Sequence, residues 1–189
     1  MKPITAKRIQ RALYHKLQSG SAILCPNVYL YLWESDMVQI TNSQYATEYE
    51  IKISQSDFKA DFRKMTGWRG RTKKHDILAS NEVPVFKDWS NKITPIARPS
   101  RFFFVAPEGI IVPEELPDYA GLLEIVQGRN GWLRVRRAKE SKRHANAGKI
   151  KGAQSLKLMR SMMFRYWNLR LNDMELEEPP ADKEELCQT

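Results

Sequence analysis

The segment from Tyr45 to Ser54, YATEYEIKIS, is the part of the sequence that most constrains the fold. In a strand, successive side chains point to opposite faces of the sheet. The odd-numbered residues of this segment are mostly apolar or aromatic, whereas Glu48, Glu50 and Lys52 share the other face. The pattern therefore predicts a strand over 45–53 whose apolar side packs against a helix and whose other side carries charge.

The rest of the chain predicts an α/β fold with a central mixed β-sheet flanked by helices. Apolar residues repeat at helical spacing over 5–18 and 153–171, and a short helix begins after Ser54, with Phe58, Phe62 and Met65 forming one buried stripe. Strands are predicted over 28–33, 37–41, 101–106 and 121–126, with an edge strand over 132–135. We expect a single domain over 1–171, with an irregular basic insertion at about 66–100 and an acidic flexible tail over 172–189.

Charge is distributed unevenly along the chain. The whole sequence has 31 basic and 22 acidic residues, but residues 1–171 hold 30 bases and 15 acids, a net charge of +15. A folded body this basic favours a polyanionic partner, nucleic acid, over a merely basic or ribosome-like surface. The candidate phosphate contacts are Arg63, Lys64, Arg69, Arg71, Lys73, Lys74, Arg134, Arg136 and Arg137. Trp68 and Trp89 could stack on bases or anchor the insertion to the body, and the sequence does not decide between these roles.

Several function classes are excluded or disfavoured by composition. No apolar run approaches the roughly 20 residues that a membrane helix needs, and the basic start lacks the apolar stretch of a signal peptide. We therefore expect no membrane partner and a cytoplasmic location. Cys25 and Cys187 lie far apart and form no zinc motif, so Cys25 is expected to be a small buried residue. The oligomeric state is open, and a homodimer is compatible with the sequence.

Glu50 and Lys52 are candidates for metal-assisted hydrolysis, because a carboxylate and a lysine on one rigid strand can hold a divalent ion and a water together. Magnesium prefers several oxygen ligands, so a second acid is needed. Asp36 is the leading candidate, since it lies at the start of the preceding predicted strand and a hairpin would bring it beside Glu50. The backbone carbonyl of Ile51 is a further candidate ligand, and Lys52 would activate water or stabilise phosphate charge. Alternating charge on an exposed strand would explain the same residues without catalysis.

Five other residues are considered as accessory groups. Glu34 and Glu48 could supply a further carboxylate to the site. Asp57 and Asp61 lie four residues apart on the short helix, where capping and solvation are the more ordinary roles of aspartate. His75, in the basic segment RTKKHD, could touch a phosphate or transfer a proton, although a solvated loop histidine is the default interpretation.

The motif EIKISQSDFKAD, residues 50–61, with an acid upstream at Asp36, resembles the core of the PD-(D/E)XK nuclease superfamily. The likeness is greatest to MmcB-type DNA repair proteins and related phage proteins, and it resumes in RFFFVAPEGIIVPEELPDYAGLLEI, residues 101–125. The resemblance implies a restriction-endonuclease-like core ordered α-β-β-β-α-β. It also implies metal binding by Asp36 and Glu50 and catalysis by Lys52. Two features depart from the family: no acid precedes Glu34, and Ser35 replaces the proline of the family name.

The resulting expectation is a Mg²⁺- or Mn²⁺-dependent deoxyribonuclease, an endonuclease rather than an exonuclease, in a bacterial or phage-infected cell. A module of the same fold that binds nucleic acid or protein without catalysis is the alternative. A structural RNA-associated protein is a third hypothesis. DNA and RNA substrates, single- and double-stranded, all remain open at this level.

Overall fold

A six-stranded mixed β-sheet forms the centre of the protein, as seen in a computed structural model. The structure describes residues 2–66, 72–82, 85–87, 93–95, 97–144 and 146–177. In spatial order the sheet contains β1 (Ile23–Val28), β2 (Ser35–Ile40), β3 (Ala46–Ile51), β6 (Arg101–Pro107), β7 (Ala120–Gln127) and β8 (Leu133–Lys139). The first three strands are antiparallel, β6 and β7 continue the sheet parallel to β3, and β8 closes it as an antiparallel edge. The predicted mixed α/β sheet flanked by helices is thereby confirmed.

Helix α1 (Ala6–Leu17) covers one face of the sheet. Thr5 caps its first turn by accepting a hydrogen bond from the backbone N–H of Arg8. Ile9 and Leu13 are completely buried against a set of sheet residues comprising Met37, Tyr49, Ile51, Phe103, Val105, Leu123 and Ile125. Each such side chain contributes roughly 1.5–3 kcal/mol by leaving water. The predicted pairing of the apolar face of β3 with a helix is confirmed.

The opposite face of the sheet is covered by α2 (Gln55–Asp61) and α3 (Lys74–Ala79). Phe58 of α2 and the pair Ile77 and Leu78 of α3 pack on a core that includes Phe102 and Phe104. Because side chains alternate along β3, this is also the face on which Glu48 and Glu50 lie. An unusual combination results, in which buried aromatic rings and buried charges share one side of the sheet.

The first strand differs from the prediction. A strand was expected over 28–33, but β1 spans Ile23–Val28, where Ile23 pairs with Ile40 and Val28 with Ser35. Residues 29–34 instead form the connection to β2, in which Tyr31 and Trp33 turn inward and are buried. Pro26 is tolerated because β1 is an edge strand. Aromatic residues that suggest a strand can equally belong to a buried connection.

The segment over 66–100 is more ordered than predicted. It contains α3 and an antiparallel hairpin of β4 (Val85–Lys87) and β5 (Ile93–Pro95). The helical pattern over Lys74–Ala79 is too short for periodicity to reveal, and burial of Ile77 and Leu78 stabilises it. Met65 also departs from the expected stripe, since it is exposed and pairs with Lys73 in an isolated bridge after α2 has ended.

The last helix, α4, spans Gly152–Glu177, so the predicted flexible tail does not begin at residue 172; residues 178–189 lie outside the described part of the chain. The apolar residues at helical spacing in this helix are mostly exposed: Leu158 is buried, whereas the exposed ones are Leu156, Met159, Met163, Tyr166 and Trp167. The reason is that α4 contacts the sheet at its edge strand β1, where Arg165 donates hydrogen bonds to the carbonyls of Pro26 and Asn27. Across the ranges described, no helix is both long and apolar enough to cross a membrane.

His144 provides a pH-dependent term in stability. Its ring is buried, its Nε2 has no hydrogen-bond partner in the described structure, and burial together with the nearby Arg98 charge lowers its pKa to about 4. An unfolded histidine titrates near 6.5, so between about pH 6.5 and 4 the unfolded chain takes up a proton that the folded chain does not. We expect the free energy of unfolding to fall by about 1–2 kcal/mol over that interval. Urea unfolding of His144→Phe should lack this part of the fall, whereas His15→Phe, at an exposed histidine of α1, should retain it.

Candidate active site

A cluster of buried charges lies on the face of the sheet opposite α1. It combines carboxylates and ammonium groups from β3, α2, α3 and the turns beside them. We define this charge cluster as Glu48, Glu50, Lys52, Asp61, Lys64, Lys74 and His75. All of these residues except Lys64 are buried, with Glu48 and Asp61 completely so.

Strand β3 supplies the floor of the charge cluster. Glu48 and Glu50 point to the same face, paired in register with Phe102 and Phe104 of β6. Lys52 follows the last strand residue and remains tied to the sheet, since its backbone N–H donates to the carbonyl of Val105 at 2.9 Å. The predicted common face of Glu48, Glu50 and Lys52 is what allows them to meet here.

Helix α2 contributes the third carboxylate of the charge cluster, that of Asp61. Ser54 caps the helix, accepting a hydrogen bond from the Asp57 backbone N–H at 3.2 Å. Asp61 lies one turn beyond Phe58, on the side of the helix that packs on the sheet. Helix capping thus sets the direction in which α2 leaves β3, and the helix periodicity places Asp61 over Glu50.

The segment after α2 folds back so that α3 joins the charge cluster. Thr66 N–H donates to the Thr72 carbonyl at 2.8 Å, and Lys74 N–H donates to the Lys64 carbonyl at 3.2 Å. These bonds place Lys74 and His75, at the start of α3, beside the end of α2. Lys74 also lies 4.8 Å from the centroid of the Phe102 ring, a cation–π contact.

The ammonium groups are shared among the carboxylates. Lys52 Nζ lies 2.8 Å from Glu50 Oε1 and 2.7 Å from Asp61 Oδ1. Lys74 Nζ lies 2.8 Å from Glu48 Oε1 and 2.7 Å from Glu50 Oε2. The Trp33 indole N–H also donates to the Glu48 carboxylate, at 2.8 Å from Oε1. Together with Lys64, these lysines place three ammonium groups against the three carboxylates of the charge cluster. Such pairing offsets the free-energy cost of burying the charges.

Lys64 differs from the other members because its side chain is 54% exposed. Its Nζ lies 3.0 Å from Glu50 Oε1 and 2.8 Å from Asp61 Oδ1. It therefore forms the solvent side of the charge cluster and occupies a cation position between two carboxylates. Movement of this flexible side chain would open the cluster to solvent without disturbing the sheet.

His75 connects the charge cluster to β7 through Tyr119. His75 Nε2 lies 2.7 Å from Asp61 Oδ2, and Nδ1 forms a short hydrogen bond with the Tyr119 hydroxyl. A neutral imidazole with its proton on Nε2 satisfies both partners, because Nε2–H donates to Asp61 and Nδ1 accepts from the tyrosine. The ring is held between Phe62 and Phe104, with centroid distances of 4.4 and 5.8 Å. His75 is thus a fixed internal group rather than a loop histidine.

The pairing favours the ionised forms of Glu50, Asp61 and Lys74, whereas burial raises the pKa of Glu48. Burial alone would raise the pKa of Glu50, but the charges of Lys74 and Lys52 hold it below its ordinary value. Burial acts in the same way on Asp61, where the His75 hydrogen bond and the lysine charges outweigh it and lower the pKa. Burial would lower the pKa of Lys74, yet Glu48 and Glu50 raise it. Each partner therefore depends on the others for its charge.

Asp36 lies beside the charge cluster, near Glu50. Its Oδ2 accepts a hydrogen bond from the Ile51 backbone N–H at 2.7 Å. Burial and the negative charge of Glu50 raise its pKa to about 6, against the lowering effects of the Ile51 N–H and of Lys52 and Lys74. Asp36 and Glu50 are thus two carboxylates that repel each other electrostatically, which is a situation that a bound cation relieves.

The oxygen donors Asp36 and Glu50 match the chemistry of a hard divalent ion such as Mg²⁺. Among the described residues, however, no group of three or more histidine, cysteine, aspartate or glutamate side chains is arranged to hold a metal. The oxygens of Glu50 are instead in contact with lysine ammonium groups. Metal binding by this site would therefore require at least one of these contacts, most readily that of the half-exposed Lys64, to open.

The remaining residues proposed from sequence are dispersed. Glu34, Arg63, Lys73 and Arg134 are exposed, and Asp57 is 43% exposed with its Oδ1 3.8 Å from Lys52 Nζ. Lys74, proposed as a surface contact for phosphate, is buried in the charge cluster because its ammonium pairs with two carboxylates. Arg136 pairs with Glu108 and Glu124, and Arg137 pairs with Glu140. Arg69, Arg71, Trp68 and Trp89 lie outside the described residues.

Three residues of the site were missed or undervalued by sequence reasoning. Asp61 was assigned to capping or solvation, although its position three residues after Phe58 on a buried stripe was a usable signal. No local sequence pattern indicates the roles of Tyr119 and Trp33. Tyr119 contacts His75 and Trp33 contacts Glu48 from connections that are distant in sequence. Their roles depend on how separate elements pack, which no local pattern encodes.

Comparison with known proteins adds information on the fold alone. No protein family model matches the sequence, and no curated protein sequence matches it either. A solved structure, described as the SPO1766 protein of unknown function from Silicibacter pomeroyi, is similar in fold, with a TM-score of 0.57 and 14% identity. The similarity covers 97% of this chain and 100% of that one. The chain therefore shares its mixed α/β architecture with a known structure.

Proposed function

We propose that this protein is a metal-dependent nuclease that hydrolyses phosphodiester bonds of DNA, with Asp36, Glu50 and Lys52 at the catalytic centre. The observation that carries the proposal is the charge cluster itself. A carboxylate, a lysine and a second, electrostatically strained carboxylate meet on the charged face of β3. Strongly perturbed and coupled ionisable groups of this kind are concentrated at functional sites.

A restriction-endonuclease-like core is part of the same proposal. Helix α1 is followed by three antiparallel strands and α2, and the strand parallel to β3 comes after α3 and the β4–β5 hairpin. This order supports the proposal. Glu50 lies in β3, Lys52 directly follows this strand and Asp36 lies in β2, so the β2–β3 hairpin and the residue after it carry all three. The arrangement supports catalysis from a rigid element rather than from a mobile loop.

The residues have separable roles in this mechanism. Asp36, Glu50 and the Ile51 carbonyl are the groups that would hold Mg²⁺ or Mn²⁺. When bound there, the ion would supply Lewis acidity and lower the pKa of a coordinated water. Lys52 keeps a positive charge at the site, which offsets negative charge developing on the phosphate in the transition state. Asp61 and His75 fix Lys52 and the end of α2, and Lys64 lies where a phosphate would approach.

A non-catalytic binding module on the same fold is the second candidate. The observation that favours it is the depth of the charge cluster, in which Lys52 is 1% exposed and every carboxylate contacts an ammonium group. In that case the cluster would specify how α2 and α3 pack on the sheet, and the exposed cations would bind nucleic acid without cutting it. The two candidates differ in metal dependence and in their response to substitution at the cluster.

The decisive experiment measures cutting. Purified protein is incubated with labelled single- and double-stranded DNA and with RNA, in Mg²⁺, Mn²⁺ or chelator. We expect DNA to be cut in the presence of either ion and to stay intact in chelator, and Glu50→Gln to remove the activity. The matched control is Glu140→Gln, an exposed carboxylate after β8, which should cut as the wild type does. Metal-independent cutting, or equal cutting by Glu50→Gln, would reject the proposal.

Titration with Mn²⁺ tests the ligand assignment separately. Because Glu50 and burial disfavour the ionised Asp36, Asp36→Asn should raise the free energy of unfolding in chelator by about 1–2 kcal/mol at neutral pH. The same variant should lose the heat of Mn²⁺ binding seen in the wild type. If the wild type binds no Mn²⁺ and cuts nothing, the binding-module alternative stands.

A further inference from the structure

A basic groove lies between α1 and the turn that joins β7 to β8, on the face of the sheet opposite the charge cluster. Its volume is about 910 Å³. The lining includes four cationic side chains, a histidine and one exposed indole: Lys2, Arg8, Arg11, Arg129, His15 and Trp132. Among the described residues, no carboxylate lines the groove, in keeping with the absence of any acid before Glu34.

The hydrogen bonds that shape the groove are made by Arg8 and by the backbone of the turn. Arg11 and Arg129 remain exposed. Arg8 donates to the Gly131 carbonyl at 2.7 Å and to the carbonyls of Lys2 and Pro3, which ties the start of α1 to the turn. Within the turn, Gly128 N–H donates to the Trp132 carbonyl at 2.8 Å, and Gly131 adopts a positive φ of 79°. Arg8 is therefore a structural brace between α1 and the turn.

Trp132 is the feature that specifies the kind of ligand. Its side chain is 69% exposed, the largest exposed fraction among the large apolar residues described. An indole left in water beside cationic groups offers a stacking surface for a base, while the cations can neutralise phosphates. The bases of a duplex are already stacked on one another, so a free base face is available in a single strand.

We propose that this groove binds single-stranded nucleic acid, with one base stacked on Trp132 and phosphates contacted by Arg11 and Arg129. Pockets of roughly 300–1,000 Å³ enclose small ligands, so a groove of about 910 Å³ has room for a short stretch of strand. The site is separate from the charge cluster, because the sheet and α1 lie between them. The inference does not depend on the proposed nuclease activity.

The test is fluorescence anisotropy with a labelled oligothymidylate of roughly ten nucleotides, in chelator so that no strand is cut. We expect Trp132→Ala to weaken binding about tenfold or more. Arg11→Gln and Arg129→Gln should each reduce the slope of log K against log salt by about 0.7. Trp132→Phe should retain part of the affinity, which separates lost stacking from lost folding.

Matched controls lie on α4, away from the groove. Trp167→Ala and Arg160→Gln replace an exposed tryptophan and an exposed arginine and should bind as the wild type does. Because the binding assay is run in chelator, where no strand is cut, a failed nuclease assay and a failed groove assay can be told apart. Wild-type affinity in Trp132→Ala would overturn the inference. Equal affinity for duplex of the same length, or for thymidine monophosphate, would do so as well.

Discussion

Asp61→Asn is expected to lower the free energy of unfolding by about 3–5 kcal/mol. Asp61 is completely buried and accepts contacts from Lys52, Lys64 and His75. Asparagine keeps the shape but removes the charge, which leaves the buried Lys52 ammonium to share Glu50 with two other lysines. Since domains are typically stable by about 5–15 kcal/mol, the loss is a large share of the total. Urea unfolding monitored by circular dichroism measures it.

The matched control is Asp57→Asn, on the same helix. Asp57 lies 3.8 Å from the same Lys52 ammonium, but its side chain is 43% exposed, so we expect a change below about 1 kcal/mol. Adding Lys64→Gln to Asp61→Asn should recover part of the loss, because it removes an ammonium that no longer has two carboxylates. Equal stability of the Asp57 and Asp61 variants would contradict the electrostatic balance described for the charge cluster.

Under the proposed nuclease function, Lys52→Met is expected to reduce metal-dependent cutting of DNA at least about a hundredfold in kcat. Methionine approximates the length of the aliphatic stem but removes the positive charge, so the phosphate would lose a stabilising group in the transition state. Glu50 and Asp61 keep contacts with Lys64 in this variant. Single-turnover cleavage with saturating Mg²⁺ measures the chemical step directly.

Two measurements distinguish lost chemistry from lost structure in Lys52→Met. Mn²⁺ should still bind, because the proposed ligands Asp36 and Glu50 remain. Lys59→Met, an exposed lysine on α2, is the control and should cut at the wild-type rate. Undiminished cutting by folded Lys52→Met would remove Lys52 from the catalytic centre and leave it a structural role.

The sequence predicted the strand β3 and its two faces well, because a period of two over several residues is a strong local signal. That period also brought Glu48, Glu50 and Lys52 to one side, as observed. The connection 29–34 was misassigned because its aromatic residues have strand propensity but pack into the core as single anchors. Propensity could not reveal that difference, which arises from tertiary packing.

The rest of the site could not be predicted, for two physical reasons. Lys74 and His75 sit on a helix of six residues, which is too short to be stable alone and is stabilised by burial against the sheet. Basic composition then suggested a solvated surface, whereas Lys74 is neutralised by Glu48 and Glu50. The charge of Lys74 is balanced by Glu48 and by Glu50, the latter 24 positions away, and composition does not report such pairing.

The parallel pairing of β3 with β6 has a consequence for how the protein matures. Thr47 pairs with Arg101 and Ile51 with Val105, so this ladder closes a long stretch of chain that includes α2 and α3. Contacts between distant residues form slowly, because the entropy cost of closing the loop arises before the contacts stabilise the chain. Until β6 has been synthesised, we expect the lysines and carboxylates of the charge cluster to remain hydrated and unpaired. The charge cluster is therefore a late feature of folding, which forms after the ladder between β3 and β6.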